Sequence, residues 1–167
     1  VIGATIESAT EADLPRIGQI MNHAIRETTA VWYDRPKSPD ELLGWWQGKI
    51  DGDWPVFVAR AAGEVAGYAT FGPFRPFEGY RFTVEHSLYV DPRFHRQGIG
   101  RALLRRLLEQ AVQRQRHVMI GGIDATNEAS LRLHNELGFV EVGRLPDVGY
   151  KFDRWRTLVF VQRTLEP

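Results

Sequence analysis

The stretch TVEHSLYVDPRFHRQGIGRALLRRLLEQA, residues 83–111, constrains the fold more than any other part of the chain. The β-branched and aromatic residues leading to Val90 read as a strand. Beyond the turn, Ile99, Ala102, Leu103, Leu107 and Ala111 recur at helical spacing. Gly98 and Gly100 sit where the strand gives way to the helix, with His95, Arg96 and Arg101 as flanking cations. Two physical reasons can put glycines there. One is tight turning and packing; the other is a set of backbone N–H groups bared to an anion at a helix N-terminus. The segment is not the dinucleotide pattern G-x-G-x-x-G, since Leu103 stands in the third position, and no lysine–hydroxyl pair follows it as in a nucleoside-triphosphate loop.

The rest of the chain supplies elements for such a unit to pack against. Ala4 to Ser8 reads as a short strand. Thr10 and Asp13 approach a capping box ahead of Leu14, Ile17, Ile20, Met21, Ala24 and Ile25, which share a helical face. Ser38 as N-cap and Pro39 at the first helical position open a second helix through Trp45 and Trp46. Val56–Arg60 and Val65–Phe71 form a hairpin turning near Ala62-Gly63, and the long Pro/Gly turn GPFRPFEGY leads into the strand Arg81–Val90. HVMIGGI is a short buried strand, and NEASLRLHNELGF is a helix closed by Gly138. VEVGRL and RWRTLVFVQRTL are two final strands around a turn containing Gly149. The order βααβββαβαββ predicts an α/β fold, a mixed sheet with helices on both faces, as one domain over residues 1–167. Ligands of such sheets bind outside the carboxyl ends of diverging strands, where the glycine turn lies.

Composition removes several classes of function. Lys+Arg and Asp+Glu both number 21, so net charge offers no general pull on nucleic acid. The absence of cysteine excludes disulfides, cysteine-ligated zinc and a cysteine acyl-enzyme. His23, His86, His95 and His117 lack metal-ligand spacing, so no metal is expected. No apolar run approaches the ~20 residues that cross a bilayer, and the first residues lack a signal-peptide pattern. A cytoplasmic location without membrane association is the expectation.

HRQGIG resembles the Q/R-x-x-G-x-G/A signature of the GCN5-related N-acetyltransferases, in which the turn holds the pyrophosphate of coenzyme A. NEASLRLHNELGF is similar to the family's N-x-x-A/S-x-x-x-Y-x-x-x-G-F, with Asn127, Ser130, Gly138 and Phe139 in register and His134 at the tyrosine position. FRPFEGYRFTVEHSLYV and VGYKFDRW resemble the phosphinothricin/methionine sulfoximine acetyltransferase branch, which also shows histidine in place of that tyrosine. His95 departs from the usual Gln/Arg. The resemblance spans essentially the whole chain. It implies the acyl-CoA N-acyltransferase fold, acetyl-CoA as co-substrate and a homodimer. Its cofactor residues correspond to Leu88, Tyr89, Val90, His95, Arg96, Gln97, Gly98, Ile99, Gly100, Arg101 and Asn127. Arg75, Pro76, Phe77, Glu85, His86 and Ser87 correspond to positions that touch the acceptor.

Amine acetylation asks for specific groups. An ammonium must lose a proton before it attacks a thioester, and Glu85 falls at the branch's base position. Strand alternation puts Glu85, Ser87 and Tyr89 on one face. Backbone N–H groups around Leu88 to Val90 can serve a developing oxyanion if the strand is splayed there, and the same backbone can pair with the amides of a pantetheine arm. His134 stands at the general-acid position. Arg75 and Arg81 are both candidates for a bidentate grip on an amino-acid carboxylate. Trp32, Tyr33, Phe74, Phe77 and Tyr80 are the expected apolar walls. The expected activity is acetyl transfer to the α-amine of a small amino acid. Acetylation of protein N-termini and cofactor binding without catalysis are the alternatives.

Overall fold

The computed structural model describes residues 3–166. These residues form a seven-stranded sheet with helices on both faces. In chain order the elements are β1 (Thr5–Ser8), α1 (Leu14–Glu27), α2 (Pro39–Asp51), β2 (Val56–Ala61), β3 (Glu64–Pro73), β4 (Thr83–Val90), α3 (Ile99–Gln113), β5 (Val118–Asp124), α4 (Glu128–Glu136), β6 (Val140–Lys151) and β7 (Arg154–Thr164). Short 3₁₀ turns precede α1, β4 and α3. The predicted mixed α/β order is observed.

Local chemistry explains most boundaries. Ser38 accepts from the Glu41 N–H at 3.2 Å, and the Glu41 carboxylate accepts from the Ser38 N–H at 2.8 Å, a full capping box with Pro39 in the first turn. Ahead of α1 the Asp13 carboxylate accepts from the Thr10 N–H at 2.9 Å and from the Thr10 hydroxyl at 3.1 Å, while the Asp13 N–H donates to the Thr10 carbonyl. Gly138 ends α4 with φ +81°, and the Phe139 N–H returns to the His134 carbonyl at 3.0 Å.

The expected turn at Gly149 is in fact strand. Gly149 pairs with Arg156 inside β6, and the chain reverses at Phe152-Asp153, both with positive φ. Such a two-residue reversal matches the right-handed twist of the flanking strands. Gly149 serves packing instead: a Cβ there would meet the Trp32 ring at 2.2 Å.

The strand order is β1-β2-β3-β4-β5-β7-β6, antiparallel except for the parallel contact of β4 with β5. That contact runs only through Thr83–Val118, Val84–Met119 and Glu85–Ile120. Beyond Glu85 the strands part, while β4 stays paired to β3 as far as Val90 and β5 to β7 as far as Asp124. A wedge therefore opens in the middle of the sheet. Two cores flank it. α3 packs Leu103, Leu104, Leu107 and Ala111 with Phe71, Val84 and Met119 on one face, and α1 and α2 pack Ile17, Ile25, Leu42 and Trp46 with Val58 and Tyr68 on the other.

Candidate active site

The glycine turn lies directly beyond the wedge. Arg96 at φ +60° and Gly98 at φ +79° adopt the left-handed conformation, and α3 starts at Ile99. Left-handed residues in a turn at a helix N-terminus can aim N–H groups toward one point, a concavity suited to an anion. Gly100 has a different task. A Cβ there would lie 3.3 Å from Leu133 and 3.8 Å from Leu88 and Val90, so its smallness lets α3 settle between β4 and α4.

The turn is anchored at its base. The Asp91 carboxylate is buried and accepts from the Arg93 backbone and from the Arg16 and Arg93 side chains, with Glu64 completing the cluster. Burial pushes the Asp91 carboxyl up, but the arginine and backbone donors outweigh it and hold the group well below its ordinary value. The His95 ring donates to the Val90 carbonyl at 3.0 Å, tying the turn to the strand end. Arg101 is ion-paired with Glu136 of α4 rather than free beside the turn amides.

A narrow cleft of about 80 Å³ follows the wedge, bordered by His86, Leu88, Gly121, Asp124, Asn127, Ser130 and His134. Asn127 caps α4, its side-chain oxygen accepting from the Ser130 N–H at 3.1 Å. On the α1–α2 face a second cavity, about 350 Å³, lies between the helices and strands β3 and β4. Ser87 and Tyr89 border both spaces. The two therefore meet across the sheet through the gap between β4 and β5.

Glu85 sits on the last paired rung before that gap, on the same side of β4 as Ser87 and Tyr89. A Cβ on Gly122 would stand 3.4 Å from its Oε1, so the absence of a side chain on β5 leaves the carboxylate its room. Burial raises the Glu85 carboxyl above its ordinary value, and the nearby Arg75 charge moderates the rise. Arg81 instead donates to the Glu78 carbonyl and lies over Phe82. Of the two candidate arginines, only Arg75 acts on Glu85.

His86 stands apart from the other acceptor candidates on β4. It points to the opposite face from Glu85 and is buried. Its Nδ1 is 2.8 Å from the Ile120 carbonyl and its Nε2 is 2.8 Å from Nε2 of His134. His134 Nδ1 in turn lies 2.7 Å from the Ser130 carbonyl. Carbonyl oxygens only accept, so both Nδ1 atoms act as donors there, and the contact between the Nε2 atoms needs one further proton. Burial opposes that charge, pushing His86 down to about 3, with the His134 charge adding to the effect, and lowering His134 as well. The pair is one proton short when neutral. Gly121 makes room for it, since a Cβ there would meet His86 Cε1 at 2.6 Å.

The aromatic walls are divided. Tyr33 lines the larger cavity. Trp32 donates to Asp124 at 3.2 Å and covers Gly149, while Phe74 packs on Tyr80 and Phe160. Arg75, Pro76, Phe77 and Tyr80 are exposed, Phe77 by 71%, so that loop forms a rim and not an enclosed wall. Sequence reasoning missed Lys37, Lys49, Tyr68 and Thr70 on the cavity. For Lys49 a signal existed, four residues after Trp45 and thus on the same helical face. Among the described residues no group of three His, Asp or Glu side chains is arranged to hold a metal ion, and no helix is long and apolar enough to cross a membrane.

The sheet is thus split at one parallel pair, with a left-handed glycine turn at its mouth and a carboxylate at its apex. The chain belongs to the acetyltransferase (GNAT) family, whose model matches residues 17–139. It is 45% identical over 162 residues to the L-methionine sulfoximine/L-methionine sulfone acetyltransferase of Salmonella typhimurium, covering 97% of this chain and 95% of that protein. It superimposes with a TM-score of 0.94 on an acetyltransferase from Salmonella typhimurium described with its cofactor acetyl-CoA (45% identity, 98% of this chain and 94% of that one). A phosphinothricin acetyltransferase from Sinorhizobium meliloti in complex with acetyl-CoA gives 0.94 as well (34% identity, 97% and 88%).

Proposed function

We propose that the protein moves the acetyl group of acetyl-CoA to the α-amine of a small amino acid of the methionine sulfone, methionine sulfoximine or phosphinothricin type, by direct attack. The observation that carries this reading is the position of Glu85, half-buried at the last rung of the β4–β5 ladder, where the cleft and the cavity meet at Ser87 and Tyr89.

Acetyl-CoA would supply the activated thioester. The turn from His95 to Arg101 fits its pyrophosphate through the left-handed Arg96 and Gly98, and Arg101 steadies the turn by its tie to α4. Leu88, Tyr89 and Val90 lack a strand partner on the β5 side and fit the pantetheine amides, with Asn127 on the far wall. Arg75 holds the acceptor carboxylate on the exposed rim beside Pro76 and Phe77. Glu85 accepts the ammonium proton, its raised carboxyl value bringing the base nearer neutral pH. His134 borders the cleft and serves as proton source for the departing sulfur when the pair carries its further proton between the Nε2 atoms. The Ser130 carbonyl and His86 position the His134 ring from its two nitrogens.

Glu85→Gln keeps the side chain's size and removes the base. Steady-state kinetics at saturating amine should show kcat down by ~10²-fold or more, with calorimetric acetyl-CoA affinity kept. A near-native kcat removes the base assignment. A wild-type protein that binds acetyl-CoA yet acetylates no amine in a broad panel establishes a cofactor-binding module instead.

The active species is a homodimer in this reading. β6 is an edge strand, and Val140, Val142, Val148, Tyr150 and Trp155 are exposed along β6 and β7. Edges of this kind are ordinarily covered.

A further inference from the structure

The α1–α2 cavity is rich in donors and poor in acceptors. Tyr33, Tyr68 and Tyr89 bring three phenols to it; Lys37 brings an ammonium group already paired with Glu41 at 3.8 Å and set over Tyr33, and Lys49 brings a second. Tyr68 is 1% exposed, and its hydroxyl has no hydrogen-bond partner. A buried donor left unsatisfied is costly and rare in native structures. Lys49 donates to the Phe71 carbonyl at 3.2 Å and pairs with no carboxylate among the described residues. Burial alone pushes its ammonium down to about 8. Glu41 is the one carboxylate on the described wall, and both of its oxygens are already held by Arg35. Thr70 spends its hydroxyl proton on backbone carbonyls. Apolar surface from Met21, Val31, Leu42 and Trp45 encloses the rest. Such a space suits an aliphatic stem that ends in an oxyanion.

The cavity is also placed for an acceptor. Lys49 Nζ lies over Gly72, at 3.4 Å from where a Cβ would be, and Gly72 pairs with Glu85 in the β3–β4 register. The lone ammonium therefore stands one strand away from the carboxylate at the gap.

We propose that this cavity receives the acceptor's side chain and selects one with an acidic terminus, Lys49 and Tyr68 being its specificity-determining donors. The proposal rests on the acetyl-transfer reading and narrows it, among the acceptor types proposed above, to those whose side chain ends in an acid over neutral ones of equal size. The α-carboxylate stays with Arg75 on the rim.

The test compares kcat/KM at saturating acetyl-CoA for L-glutamate, L-glutamine and glutamate α-amide, in wild type, Lys49→Met and Tyr68→Phe. Wild type should favour glutamate over glutamine. Lys49→Met should lower kcat/KM for glutamate and for its α-amide by about ten- to a hundredfold, mostly through KM, and reduce glutamine far less. Tyr68→Phe should act in the same direction with an equal or higher melting temperature, because it deletes an unpartnered oxygen. It carries the test alone if the lysine variant does not fold. Equal loss on all three acceptors, or loss on glutamate and glutamine with the α-amide spared, overturns the proposal; the latter places Lys49 on the α-carboxylate. No change in selectivity overturns it too. Glutarate provides a readout without turnover: it should raise the wild-type melting temperature and not that of Lys49→Met. If wild type acetylates nothing but shows this glutarate response, the acetyl-transfer reading falls and the anion site stands. If it shows neither, both fall.

Discussion

Gly98→Ala tests whether the turn before α3 is shaped for an anion or only for packing. Gly98 sits at φ +79°, where a Cβ crowds the following carbonyl. Holding an L-residue there costs about 1–2 kcal/mol. The chain can respond in two ways. If the turn keeps its shape, the cost appears as stability, about 2–8 °C of melting temperature for a chain of this size. If the turn relaxes, the N–H groups after Arg96 swing away and the anion loses its charge-assisted hydrogen bonds. At 1.4 kcal/mol per factor of ten, two such bonds of ~1.5 kcal/mol each amount to about a hundredfold in Kd. Melting without ligand and calorimetric titration with acetyl-CoA, run on the same variant, read both responses. Gly100→Ala is the comparison. Its Cβ would press a leucine tip at 3.3 Å, and alanine's helical preference offsets that contact, so both readouts should move less than in Gly98→Ala. A folded Gly98→Ala protein with unchanged melting temperature and unchanged Kd would refute the reasoning, since neither response would have appeared.

Arg75→Ala should raise the KM for a free amino acid by a factor equivalent to ~1.5–3 kcal/mol and leave the acetyl-CoA KM nearly unmoved, measured by coenzyme A release. The same variant tests the pH profile. Arg75 lowers the Glu85 carboxyl value, so its removal should shift the acid limb of kcat/KM to higher pH, and a limb that stays put or falls contradicts Glu85 as the titrating base. Asp91→Asn leaves Arg16 without its buried partner and should cost about 2–4 kcal/mol of stability in urea melts at pH 7. Because the folded Asp91 carboxyl lies below the unfolded value of 3.8, its contribution is complete above that pH and is lost as pH falls toward the folded value. Wild type and variant should therefore converge in acid.

Element starts were the most legible features, because capping is local chemistry: Thr10/Asp13 and Ser38/Glu41 mark helices on their own. The β6–β7 reversal was misread for an equally physical reason. Glycine advertises a turn, yet Gly149 is there to admit the Trp32 ring, and the true reversal uses Phe152 and Asp153 without a glycine. Glu85, Ser87 and Tyr89 shared a face as strand alternation required. The partner of His86 was not legible, since the contact with His134 spans 48 positions and depends on the bare backbone of Gly121. Lys49 carried only the helical-face signal it shares with Trp45, and its burial depends on strands that the fold alone puts beneath it.

The three rungs joining β4 to β5 make the sheet two half-sheets on a short hinge: β1 to β4 on one side, β5, β7 and β6 on the other. Backbone groups along the open edges have water as their only alternative partner until an extended ligand fastens the halves together. In solution the free protein should breathe along this seam, and amide hydrogen exchange should be fast at Leu88 to Val90 while the α3 core stays protected. A ligand laid along the seam acts as a zip and adds RT ln(1 + [L]/Kd) to stability, about 2.7 kcal/mol at a hundredfold excess over Kd. The cell's supply of the activated cofactor would then set not only how fast the protein works but also how tightly it is held shut.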